Sequence, residues 1–450
     1  MQRFILNDLK HWKQQKHRKP LIIKGVRQTG KTYILKKFGE SEFTRYHYVN
    51  FEGHQKAGSI FKEDFDPERI LTDLNFLLNT SIDKKNDLLI FDELQACPNA
   101  LTSLKYFAEQ LPELNLCCAG SLLGLHLGET SFPVGKVDFL QMKPMCFAEF
   151  LQANNDEKSL HFLNKLTIDS SISTTIHEHL WQQFKIYLIV GGLPEVVQTY
   201  IENKNDLYTA LTSVRQKQNE LIYAYYADIA KHSGKINAMH IDRVWRSIPN
   251  QLAQSQDHSA KRFQFKDIIP GIDRYQRLAH VIDWLLAAEL VIKTPIVEHV
   301  ELPLQAYTKE NHFKLYLFDI GILGALSGLP PEAILNYDYG TYKGYVAENF
   351  VAQEWTTKGV TQLYSWQDDR AEIEFLYSHK NNIIPIEVKS GWITRSQSLN
   401  KYAEKYHPPY RTVFSAKPLQ IDIKNHYHHY PLYAAYWFPL IEKSTNHIKE

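Results

Sequence analysis

Gly25-Val26-Arg27-Gln28-Thr29-Gly30-Lys31-Thr32 is the stretch that decides the fold. It satisfies the spacing G-x-x-x-x-G-K-[ST] in full, and its flanks are the ones that spacing needs. The apolar run Leu21-Ile22-Ile23 enters it as a strand, and Tyr33-Ile34-Leu35-Lys36-Lys37-Phe38 leaves it as a helix. A glycine-rich turn between strand and helix points backbone N–H groups at one spot, and the helix N-terminus adds partial positive charge there. The segment is therefore an anion cradle. Lys31 is placed to reach the outer phosphates of a nucleoside triphosphate, and the Thr32 hydroxyl to ligate Mg²⁺. ATP and Mg²⁺ are the cofactors this loop implies.

Such a loop needs a carboxylate at the end of a neighbouring apolar strand. Leu88-Leu89-Ile90-Phe91-Asp92-Glu93 supplies one. Asp92 is expected to hold the magnesium, and Glu93 to orient or deprotonate the attacking water. The next apolar run ends in Cys118-Ala119-Gly120-Ser121, and Ser121 is placed to sense the terminal phosphate. With Tyr46 to Phe51 and Val137 to Leu140, these runs alternate with helical stretches. That alternation predicts an α/β fold with a parallel sheet covered on both faces.

In this order the elements resemble the additional-strand branch of P-loop ATPases, in the AAA superfamily. More narrowly, GVRQTGKT, LLIFDELQACP, CAGSLLG, KPMCFAEFL and VGGLPEVV resemble a family of bacterial and archaeal ATP-binding proteins that carry a C-terminal domain of unknown function. The resemblance implies an AAA-type core with the phosphate-loop strand near the sheet centre. It also implies that Gly192-Leu193-Pro194 is similar to the G-x-P element of signalling ATPases, which puts Pro194 among the nucleotide contacts. AAA relatives often carry an arginine after the fourth strand that completes a neighbour's site. This chain has Lys136 in roughly that place, a point charge without the arginine fork.

Downstream the pattern changes three times. Residues 154–236 read as a helical lid, interrupted at Gly191-Gly192-Leu193-Pro194. Residues 237–329 read as two helices followed by two strands, a winged-helix-like connector in which Lys261, Arg262, Lys266, Arg274 and Arg277 are candidates for phosphate contacts. Residues 340–440 read as helix, three strands, helix, strand, a separate α/β domain. Glu348 lies on its first helix, expected to be amphipathic. Glu372 and Glu374 share one face of a strand, and Glu387 and Lys389 share one face of the next. This order resembles the PD-(D/E)XK nuclease fold. The resemblance implies that Glu348, Glu374 and Glu387 ligate Mg²⁺ or Mn²⁺ and that Lys389 activates the water. Glu374 stands where that fold usually has aspartate.

Composition bounds the partners. Among 450 residues, 51 Lys and Arg offset 50 Asp and Glu, so no global field points to nucleic acid or membrane. The first twenty residues hold no apolar core of leader length, and no stretch approaches membrane-spanning length. Cys97, Cys117, Cys118 and Cys146 lack metal spacing and read as reduced thiols, so a cytoplasmic protein is expected. Twenty histidines, clustered at His177-Glu178-His179 and at His426, His428 and His429, also lack metal spacing and are expected on the surface. Two functional classes fit. One is an ATPase that couples turnover to a nuclease-like domain acting on or binding nucleic acid, DNA in particular. The other is a signalling-type nucleotide switch whose inactive tail binds a protein or nucleic-acid partner. Either is compatible with a homo-oligomer.

Overall fold

The computed structural model describes residues 1–121, 133–256, 262–337, 340, 342–368, 371–379, 381–392 and 396–441. The chain divides into two compact units, Met1–Lys143 with Ala287–Glu289, and the remainder.

The first unit is built on β1 (Leu21–Lys24), β2 (Tyr46–Asn50), β3 (Leu88–Asp92), β4 (Asn115–Ala119) and β5 (Asp138–Gln141), in the order β2-β3-β4-β1-β5. Every neighbouring pair runs parallel, with Ile22 opposite both Cys118 and Phe139. Successive residues of a strand face opposite sides, and β1 shows it. Ile22 packs with Phe51, Leu89, Phe91 and Leu104 on one face, while Leu21 and Ile23 pack with Leu35, Phe38 and Ile90 on the other. Both faces of the central strands β1, β3 and β4 are buried, which is why these three read as largely apolar runs. Phe51, Phe61 and Phe91 meet edge to face at 5.3 to 5.7 Å. The helix Ile5–Gln14 covers the second face with Ile5, Leu9 and Trp12, spaced about one turn apart.

The second unit opens with helices, among them Thr174–Val190, Pro194–Asn203, Leu207–Ser233 and Lys235–Gln256. It continues through an eight-stranded mixed sheet: β6 (Val291–Val297), β7 (Thr308–Leu317), β8 (Tyr364–Asp368), β9 (Ala371–His379), β10 (Asn382–Val388), β11 (Arg411–Ser415), β12 (Gln420–Asp422) and β13 (Tyr427–Pro431). Their spatial order is β12-β13-β11-β10-β9-β8-β6-β7.

Here the architecture departs from the expected separation of a winged-helix-like connector from a C-terminal domain. β6 and β7 do form an antiparallel pair, but β6 also runs parallel to β8, with Ile296 opposite Ser365 and Val297 opposite Trp366. The two predicted wing strands therefore belong to the C-terminal sheet. A parallel pairing needs a crossover, and the helix Tyr342–Thr357 lies between these strands in the chain. That helix is not amphipathic: every residue from Tyr345 to Trp355 is buried. Two of its polar members bond the backbone. The Asn349 carboxamide bonds both N–H and C=O of Leu317, at 2.7 and 2.9 Å, and Gln353 accepts from Ile320 N–H at 2.7 Å. The sheet rolls around this helix. The Tyr316 ring, on edge strand β7, stands 5.7 Å from Phe375 on β9, although two strands lie between them in sheet order.

Candidate functional site

The phosphate loop owes its shape to residues that tolerate left-handed backbone. Gly30 has φ 90° and immediately precedes the helix Lys31–Glu42, and Gln28 has φ 65°. Gly25 (φ 151°) lies so close to the chain after β5 that a Cβ there would stand 2.2 Å from the Met142 carbonyl oxygen. Only glycine fits. The Thr29 hydroxyl closes the loop on Val26 O at 2.8 Å, and the Arg3 guanidinium, which sequence reasoning missed, holds Thr29 O at 2.9 Å.

Lys31 is buried and its ammonium donates to Gly25 O and Val26 O, each at 2.8 Å. Burial pushes it down to about 8, against the pull of Glu93, Glu289 and Asp92. The loop carbonyls thus hold the ammonium over the cradle, from which a phosphate would draw it.

Across the sheet, Asp92 ends β3 and is 3% exposed. Its Oδ2 accepts from the Thr32 hydroxyl at 2.8 Å and from the Tyr48 hydroxyl at 2.6 Å. A hydroxyl and a carboxylate in hydrogen-bond contact are a donor set that suits a hard cation such as Mg²⁺. Glu93 follows with φ 52°, a left-handed turn that redirects its side chain off the strand line. Gln95 Nε2 donates to Glu93 Oε2 and lies 3.4 Å from Ser121 Oγ, which Arg27 Nε also reaches at 3.3 Å. The fold therefore brings Lys31, Thr32, Asp92, Glu93, Arg27 and Ser121 to one place. Tyr48 and Gln95 complete the group. Tyr48 was not legible in sequence because its contact depends on the β2–β3 register.

Gly192 and Pro194 lie in the second unit, where Pro194 opens the helix Pro194–Asn203. Gly192 N–H donates to the buried Asp319 carboxylate at 2.7 Å, and Gly192 O accepts from Met145 N–H at 2.7 Å. Lys136 pairs with Glu109 at 2.8 Å. The four cysteines are buried free thiols. His177 corrects the expectation of surface histidines: it is buried, with Nδ1 2.8 Å from the Tyr433 hydroxyl. Lys261 lies outside the described residues.

In the second unit the acidic constellation does assemble. Val388 N–H on β10 donates to Glu374 Oε2 on β9 at 3.2 Å, and Lys389 is ion-paired with Glu387. The Tyr316 hydroxyl donates to Glu348 Oε2 at 2.8 Å. Burial, then the neighbouring Glu387, holds the Glu374 carboxyl well above the usual carboxylate range. Lys314, on β7, reaches the same cluster. It is 4% exposed, its ammonium lies 3.4 Å from Glu348 Oε2, and it is ion-paired with Glu372. Among the described residues no group of three or more His, Cys, Asp or Glu is arranged to hold a metal ion. Glu348, Glu374 and Glu387, expected as metal ligands, are brought near one another with the Lys314 and Lys389 ammoniums among them.

Comparison with known proteins gives the first unit a class. Residues 17–151 match the model of an AAA domain, while residues 182–333 and 343–434 match two domains of unknown function, DUF8612 and DUF4143. None of the curated proteins matches the chain. A Walker-type ATPase of Pyrococcus abyssi is similar at 17% identity, covering 71% of this chain and 94% of its own, with a TM-score of 0.43. AMPPCP-bound DnaA of Aquifex aeolicus is similar at 15% identity, over 63% of this chain and 86% of its own, with a TM-score of 0.29. The Drosophila ORC bound to DNA is similar at 13% identity, over 74% and 84%, with a TM-score of 0.26. Residues 17–151 form an AAA-type P-loop domain. Among the described residues no helix is long and apolar enough to cross a membrane.

Proposed function

We propose that this chain binds and hydrolyses ATP in its first unit and uses the nucleotide state to govern its second, which binds a protein or nucleic-acid partner without cutting it. One observation carries the reading: Lys31, Thr32, Asp92 and Glu93 lie in hydrogen-bonded register around one cradle. The loop amides and the ammonium of Lys31 bind the phosphates. Thr32 and Asp92 would hold Mg²⁺, which supplies charge neutralisation on the phosphate oxygens when bound. Tyr48 fixes the Asp92 carboxylate, and Gln95 fixes Glu93, whose carboxylate takes the proton of the attacking water. Ser121, spanned by Arg27 and Gln95, is the group that registers whether the terminal phosphate is present. Pro194 is proposed as a further nucleotide contact on the resemblance of its G-x-P segment alone.

The competing reading, a metal-dependent nuclease, is favoured by the meeting of Glu374, Glu387 and Lys389. The Lys314 ammonium inside the cluster weighs against it. Phosphate release is measured with Mg²⁺ and ATP, beside cleavage of linear, branched and single-stranded DNA in Mg²⁺ or Mn²⁺. Hydrolysis without cleavage supports the switch. Cleavage abolished by Lys389→Ala would replace it with the nuclease.

A further inference from the structure

The carboxylates of the second unit need a cation. Four of them, Glu348, Glu372, Glu374 and Glu387, gather from one helix and two strands. Glu348 is 2% and Glu387 3% exposed, and Glu387 Oε2 is a buried acceptor with no hydrogen-bond partner among the described residues. Unpaired carboxylates at that depth are costly, so the cluster must be neutralised by a bound ion, by protons or by side-chain cations. Two ammoniums do enter. Lys389 comes from the cluster's own strand side and pairs with Glu387. Lys314 comes from the far edge of the rolled sheet and lies between Glu348 and Glu372. It is almost entirely shut off from solvent. The Tyr316 hydroxyl, two residues along the same strand face, also donates to Glu348.

We propose that Lys314 is the resident cation of this cluster, standing in for a divalent ion, and that removing its ammonium opens a site for a hard divalent cation on the glutamates. This rests on reading the second unit as a binding element, and explains why it would cleave nothing. A divalent ion placed among these oxygens would stand within a few ångströms of a fixed, desolvated ammonium, where like charges repel strongly. The hydrocarbon stem of Lys314 also fills volume that the ion and its waters would need. Lysine, with its single charge and no Lewis acidity, leaves the cluster folded but unable to generate a metal-bound nucleophile. The design needs β7 in the same sheet as β9, which the roll around the helix Tyr342–Thr357 provides.

The test is Mn²⁺ titration of the full-length protein without nucleotide, read by the paramagnetic signal of free Mn²⁺. All samples carry Asp92→Asn, which removes the β3 carboxylate that faces the phosphate loop. The cluster is then compared intact, with Glu387→Gln, with Lys314→Met, and with both changes. The intact cluster is expected to show no Mn²⁺ binding that depends on Glu387. Lys314→Met is expected to gain a site about 100-fold tighter or more, lost again in the double variant. Glu387-dependent Mn²⁺ binding by the intact cluster would overturn the proposal, as would a folded Lys314→Met protein that gains no site. Should Lys314→Met fail to fold, the intact protein against Glu387→Gln still decides. ATP binding by the chain with Asp92 restored is measured alongside. Its loss would count against the nucleotide reading and leave the cation result standing.

Discussion

Replacing Glu354 with glutamine should flatten the pH dependence of the second unit's stability. Glu354 sits on the helix Tyr342–Thr357 and is 0% exposed. Its Oε1 accepts from Phe147 N–H at 2.9 Å and from the Tyr187 hydroxyl at 3.4 Å, while Oε2 has no partner among the described residues. Burial raises this carboxyl from an ordinary 4.5 to about 8. The folded state therefore keeps a proton that the unfolded chain releases. For an acid raised in this way, its stability contribution is intact below about 4.5 and is lost as the pH climbs through about 8. Across the whole window the loss is about 5 kcal/mol at 1.36 kcal/mol per unit, and by pH 7 about 3 kcal/mol of it has gone. Glutamine keeps the acceptor for Phe147 and cannot ionise, so Glu354→Gln should lack this slope. Urea unfolding from pH 5 to 9, followed by a probe in the second unit, measures it. Equal slopes for the two proteins between pH 5 and 8 would refute the reasoning.

Three other outcomes follow from the same geometry. Gly25→Ala must place a Cβ 2.2 Å from Met142 O at φ 151°, so it should cost about 2 kcal/mol or more and abolish ATP binding, read by thermal melting and nucleotide titration. Tyr48→Phe removes one charge-assisted hydrogen bond to Asp92, worth about 1.5 kcal/mol, and should lower ATP turnover about tenfold while leaving ATP binding in place. Asp319→Asn halves the acceptor capacity facing Gly192 N–H and Ile322 N–H. It should destabilise the second unit by about 1–3 kcal/mol in chemical denaturation.

What could be read from sequence divides by range. The phosphate loop and Asp92-Glu93 were legible because each is a contiguous run whose chemistry depends on local backbone. The parallel sheet was legible because strands buried on both faces leave uninterrupted apolar runs. Tyr48 and Arg3 were not, since their roles arise from strand register and from a contact between residues 26 apart, and Gln95 was not, since its place beside Ser121 also spans 26 residues. The hairpin β6–β7 was read correctly as two strands, but its parallel neighbour β8 begins near residue 364 and nothing local points to it. Lys314 did leave a trace. In Phe313-Lys314-Leu315-Tyr316-Leu317 it is a lone charge in a wholly buried run, which marks a residue in need of a partner. The helix Tyr342–Thr357 misled for the opposite reason: its Glu348, Asn349, Gln353 and Glu354 look like a solvated face but are buried against backbone groups, the Tyr316 and Tyr187 hydroxyls and the Lys314 ammonium.

The central claim is that the first unit hydrolyses ATP with Glu93 as the base. It is tested most directly by phosphate release from Mg²⁺-ATP, comparing the unaltered protein with Glu93→Gln. The amide keeps the shape and cannot take a proton. ATP affinity should stay within about threefold while turnover falls about 100-fold or more. Unchanged turnover in Glu93→Gln, or no ATP binding by the unaltered protein, would contradict the account.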